Sequence, residues 1–211
     1  MTCKNITFST CWYNFKAKYT NDTYQQWIDS MLSNVNNYYL IVYTDEDGYV
    51  NLKKYRKENI RFVIIPHTQF HGYQYKHYWE TNHEKNSEIN EDTDWMVNML
   101  WSEKINFVKM TKENNFFNTD FFGWCDIGYF RNRPDDLSKE ALTNWPDNNK
   151  INSMDKNLIH YAVINNNHRE LQQMIDSIDN RNEHGLPIKP ILVKQQSIAG
   201  GFFVLHSSMI E

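Results

Sequence analysis

Asp126 is the residue whose type and context most directly suggest chemistry. It closes the run Phe121-Phe122-Gly123-Trp124-Cys125, whose apolar side chains predict a strand buried on both faces. A carboxylate after such a strand sits at the rim of a sheet, partly shielded from water. A hard divalent cation such as Mn²⁺ or Mg²⁺ prefers an oxygen ligand of that kind. The ion would bridge diphosphate oxygens and stabilise a departing nucleotide. The competing role is structural, with Asp126 capping the turn that Gly128 permits.

The second constellation is Ala199-Gly200-Gly201-Phe202-Phe203-Val204-Leu205-His206. Paired glycines opening a strand suit either close backbone approach to a ligand or a bulge. His206 is a candidate second metal ligand with Asp126 opposite, or else a packed or surface histidine. Lys104, Arg131 and Arg133 could neutralise phosphate, or could be solvated helix and loop residues.

Two other segments spell Asp-X-Asp. Asp45-Glu46-Asp47 precedes Gly48 and reads as a turn, and Asp92-Thr93-Asp94 precedes a helical pattern and reads as a cap. Thr44 and Asp45 still end a strand, where they could touch a base or ribose. His67, His71, His77 and His83 lack regular ligand spacing, so no zinc site is expected there. Neither a Gly-rich phosphate loop nor a Gly-X-Ser-X-Gly elbow is present, which weakens kinase, dehydrogenase and serine-hydrolase readings.

These residues need elements to position them. Strands are predicted over residues 6–10, 38–44, 61–65, 121–125 and 197–205, with weaker signals at 159–164 and 191–193. Helical spacing covers 23–35, capped by Asn21 or Asp22, then 94–110 and 169–178. Residues 67–94 read as a long polar loop, helical in part. Alternating strands and helices predict an α/β domain with a mostly parallel central sheet covered on both faces. In such sheets ligands bind outside the carboxyl ends of the strands. That singles out Thr10, Cys11, Trp12 and Tyr13, then Thr44 to Asp47, residues 66–71, and Asp126 to Arg133.

The chain has 211 residues, enough for one such domain, and 40% of them are hydrophobic. Net charge is -4 with no long basic run, so nucleic acid is not the expected partner. Cys3, Cys11 and Cys125 fit no zinc pattern and read as reduced thiols, which suits a cytoplasmic setting. No signal peptide and no transmembrane segment is expected.

Taken in order, Thr10-Cys11-Trp12-Tyr13, Tyr39-Leu40-Ile41-Val42-Tyr43-Thr44-Asp45, Ser102-Glu103-Lys104-Ile105, Phe122-Gly123-Trp124-Cys125-Asp126-Ile127-Gly128 and Gly200-Gly201-Phe202-Phe203 resemble the WlaTC/HtrL group of glycosyltransferases. The likeness extends to chlorella-virus glycosyltransferase domains that open multidomain capsid-glycan proteins. It implies a GT-A-like, Rossmann-related fold, a UDP-sugar donor, a Mn²⁺-type cofactor and a glycan acceptor. Further domains of the same polypeptide are then expected as partners. By that analogy Asp126 is the metal-binding carboxylate, although Trp124 stands where the first Asp of a full Asp-X-Asp would be. Thr10, Tyr13, Thr44 and Asp45 would hold the nucleotide, and Gly200 and Gly201 the donor sugar. Gln195 or Gln196 would line its reacting face, and Asp155 is the candidate base for an inverting reaction. Retention of configuration is favoured. The alternatives are a nucleotidyltransferase and a non-catalytic carbohydrate-binding module.

Overall fold

A computed structural model describes residues 4–131, 138–188 and 198–211. Strand β1 (Ile6–Trp12) lies at the centre of a six-stranded sheet. Its neighbours are β2 (Tyr39–Thr44) and β4 (Phe121–Cys125), both parallel to it, and β3 (Ile60–Ile64) continues the parallel set beyond β2. Beyond β4 come β6 (Ile198–His206) and then the edge strand β5 (His160–Val163), giving the order β3-β2-β1-β4-β6-β5. Strand β6 runs antiparallel to both its neighbours. The sheet is therefore mostly parallel but mixed.

One face carries α1 (Asn21–Leu32), α2 (Glu46–Leu52) and the short helices α5 (Lys139–Asn144) and α6 (Asn148–Asn152). Ile28, Met31, Leu32, Leu52, Leu142 and Ile151 from these helices pack on Ile6, Phe8, Leu40 and Val42. Each such buried aliphatic or aromatic side chain contributes about 1.5–3 kcal/mol. The other face is covered by α4 (Trp95–Asn114), with α3 (Lys76–Lys85) against it. Met99, Phe107 and Val108 of α4 pack on Tyr43, Phe122, Trp124 and Phe203.

Polar ties fix how α4 lies on the sheet. Thr111 Oγ1 hydrogen-bonds Ser9 Oγ at 2.7 Å and Tyr43 Oη at 2.8 Å, all three buried. Buried hydroxyls are strongly favoured when paired, so this triad helps fix the seating of the helix. Lys104 lies two turns before Thr111, and its position over the sheet follows from that seating. Helix α4 ends on Asn115, in the left-handed region at φ 37°.

Several local expectations shift. Thr20, rather than Asn21 or Asp22, caps α1, accepting from the Thr23 N–H. Asp45-Glu46-Asp47 is not an isolated turn but the cap and first turn of α2. Residues 67–94 hold two 3-10 segments and α3, and Glu103 anchors the second 3-10 segment: its buried carboxylate accepts the His71 and Gly72 N–H groups at 2.8 and 3.1 Å. Helix α7 (His168–Asp179) follows its apolar periodicity but buries no residue. The strand expected at 191–193 falls outside the described residues. No helix among the described residues is long and apolar enough to cross a membrane.

Candidate functional site: a cleft at the carboxyl end of the sheet

The chain order of strands reverses between β1 and β4, since β2 and β3 lie to one side of β1 and β4 to the other. At such a point the loops leaving two adjacent strands diverge and open a crevice at their carboxyl ends. Here the crevice is a cleft of about 760 Å³. Its floor is made by Cys11, Trp12 and Tyr13 at the end of β1, Trp124, Asp126 and Gly128 at and beyond the end of β4, and Gly200 and Gly201 of β6.

Asp126 is held from three sides. Its N–H donates to the Gly201 carbonyl at 2.8 Å. Its Oδ1 accepts the Trp124 indole N–H at 2.6 Å and lies 2.8 Å from Lys104 Nζ. Trp124 and Asp126 share one face of the strand because side chains alternate, so the indole N–H orients the carboxylate. The Asp126 side chain remains 42% exposed, and Oδ2 has no hydrogen-bond partner among the described residues. A Cβ on Gly201 would stand 2.7 Å from Oδ2, so the carboxylate occupies the space that this glycine leaves.

Lys104 is 14% exposed and bridges three elements. Besides Asp126, its ammonium donates to the Gly200 carbonyl at 3.1 Å and sits 5.5 Å from the Trp124 ring centroid. Arg131 forms the opposite wall, its guanidinium 5.1 Å from the Trp27 ring and 6.0 Å from Tyr19. Gly128 makes room for the same Trp27 ring, because a Cβ there would lie 2.9 Å from Trp27 Cε3. Burial pushes the Cys11 thiol well up; the nearby Asp126 adds to this and Lys104 opposes it. Cys11 is thus a floor residue whose burial favours the neutral thiol. Burial also raises the Tyr13 hydroxyl, which donates to the Ile65 carbonyl at 2.9 Å.

No protein-family model matches this chain, and no curated protein matches it.

Of the residues singled out from sequence, Asp126, Lys104, Arg131, Gly200, Gly201, Cys11, Trp12 and Tyr13 converge on the cleft. Thr10, Thr44 and Asp45 do not line it. Thr10 is fully buried beneath it. Thr44 donates its hydroxyl to the Trp12 carbonyl at 2.6 Å, and Asp45 caps α2 through the Gly48 N–H at 2.8 Å. His206 is a correction. It pairs with Phe121 at the amino end of β4, roughly 16 Å along the strand from Asp126, so the two cannot share a cation. Its Nδ1 instead bonds Ser208. Asp155 is a second correction. It lies before β5, on the amino side of the sheet, where its Oδ1 accepts from Asn157. Gln195, Gln196 and Arg133 lie outside the described residues.

Sequence reasoning missed Tyr19, Tyr24 and Trp101, which line the cleft from the β1–α1 loop, α1 and α4. The only available signal was Trp101 interrupting the polar face of α4.

The residues present fit a hard cation in one specific way. No three His, Cys, Asp or Glu residues converge among those described, so they form no closed protein cage. Asp126 Oδ2 nonetheless offers an oxygen at the cleft floor, and Mg²⁺-type ions commonly use one or two carboxylates and take their other ligands from water and phosphates.

Proposed function

We propose that this chain is a GT-A-like glycosyltransferase that moves a hexose or 6-deoxyhexose from a UDP-sugar to a glycan hydroxyl, in the setting of viral capsid glycans. The observation that carries the proposal is the Asp126 carboxylate, pinned through one oxygen and open through the other, on the floor of a cleft at the β1/β4 switch point. The four parallel strands β3-β2-β1-β4 support the Rossmann-related assignment.

Each residue then has a physical task. Lys104 and Arg131 place positive charge on two walls, where a diphosphate needs it. Trp12 and Tyr24, with ring centroids 5.0 Å apart, offer flat apolar surface to a nucleobase. Gly200 leaves open space, with nothing within 4 Å of a Cβ built there, so a donor sugar can lie against its backbone. Asp126 would hold Mn²⁺ or Mg²⁺, which when bound neutralises charge on the leaving diphosphate. With Asp155 outside the cleft, the base named for inversion is lost, and the reading keeps retention.

The test is calorimetry with UDP, with and without Mn²⁺, and UDP-sugar hydrolysis by wild type and Asp126→Ala. Metal-dependent UDP binding is expected, with hydrolysis reduced at least tenfold in the variant. Indifference to UDP, or unchanged turnover in the variant, would remove the proposal.

A further inference from the structure

Charge and aromatic surface are not spread evenly around the cleft. Lys104 and Arg131 flank the floor near Asp126, and the exposed Lys18 lines the cleft from the β1–α1 loop. The outer wall, built from residues 88–93 and the first turns of α4, presents Glu88, Ile89, Asp92 and Trp101. Trp101 keeps 51% of its surface exposed although α4 otherwise packs on the sheet. It precedes Lys104 by three residues, about 4.5 Å along the helix and on the same face. An exposed indole therefore stands beside the reacting end of the cleft, and Glu88 and Asp92 line the same cleft. No ion pair or side-chain hydrogen bond among the described residues engages the carboxylate of Glu88 or Asp92.

A diphosphate is disfavoured there, because two unneutralised carboxylates repel it. A neutral sugar is favoured. The face of a pyranose carries C–H groups that pack on an indole, and its hydroxyls donate to carboxylates. The backbone holding this wall is fixed: Asp94 accepts the Lys16 N–H at 2.8 Å and returns its own N–H to the Lys16 carbonyl at 2.9 Å, while Lys16 Nζ donates to the Glu91 carbonyl at 2.7 Å.

We infer that Trp101, with Asp92 and Glu88, forms the acceptor subsite, which binds a neutral pyranose next to the donor. This assignment rests on the glycosyltransferase reading. Its test does not require turnover. The seven tryptophan indole N–H signals are followed by NMR in the ¹⁵N-labelled full chain, and Trp101→Phe identifies the Trp101 signal. Methyl glycosides of pentoses, hexoses and 6-deoxyhexoses are titrated, and UDP with Mg²⁺ separately. The expected result is a saturable shift of the Trp101 signal with at least one glycoside and no shift with UDP. Asp92→Asn should weaken that glycoside several-fold. The inference is overturned if no glycoside moves the Trp101 signal, or if UDP moves it as much. UDP that perturbs no indole, while a glycoside still shifts Trp101, would sink the nucleotide-sugar reading and leave the sugar subsite standing.

Discussion

Replacing Gly201 by alanine adds one methyl group directly under the Asp126 carboxylate. The new Cβ would stand 2.7 Å from Oδ2 and 3.3 Å from Cγ, well inside van der Waals contact with the oxygen. A free carboxylate would swing aside cheaply. This one cannot, because Oδ1 holds the Trp124 indole at 2.6 Å and Lys104 at 2.8 Å. Moving it weakens two charge-assisted bonds, each contributing up to ~1.5–3 kcal/mol when buried. Since Asp126 is 42% exposed, solvent screening reduces that considerably. Adding the overpacking gives a net loss of about 1–3 kcal/mol. Near the middle of that range, a domain of this size loses about 4–8 °C in Tm. Gly200→Ala is the internal control. Its Cβ meets nothing within 4 Å, so stability should change by less than ~0.5 kcal/mol. Urea denaturation of both variants beside wild type decides the matter. Equal midpoints for Gly201→Ala and Gly200→Ala would show that the carboxylate is not pinned.

Two further outcomes follow from burial. Thr10 Oγ1 is buried without a hydrogen-bond partner among the described residues, so Thr10→Val should be neutral or stabilising by up to ~1 kcal/mol in urea, with UDP affinity unchanged; a clear destabilisation would reveal a partner for the hydroxyl. Burial raises the Cys11 and Cys125 thiols above their ordinary 9.0, so only the unfolded chain ionises them as pH passes that value. The unfolding free energy should then fall above pH 9, by up to ~1.4 kcal/mol per pH unit for each thiol, and Cys125→Ala should flatten the slope. A pH-independent midpoint between pH 9 and 10.5 would contradict this.

Elements with strong periodicity or unbroken apolar runs were legible from sequence. The runs 38–44 and 121–125 predict β2 and β4, and the spacing at 94–110 predicts α4. Helices α5 and α6 were not anticipated, because five- and six-residue helices bury too few side chains to leave a pattern. Residues 67–94 read as helical only in part, without bounds for α3, because that helix buries no residue. Asp126 was legible as a strand-end carboxylate. Its partners were not: Lys104 comes from the preceding helix and Gly201 from a strand 75 residues further on.

The sequence by itself determined the α/β class, the central strands, and the position of Asp126 at the end of β4. Burial periodicity and strand-end position are local properties, so the chain carries them openly. Tertiary structure alone decided the rest. The antiparallel course of β6 puts Gly201 under Asp126 and sends His206 to the far end of the sheet. The seating of α4 through Thr111 brings Lys104 onto the carboxylate and leaves Trp101 facing the cleft. Strand direction and helix seating are set by contacts between residues far apart in the chain, and no local pattern encodes them.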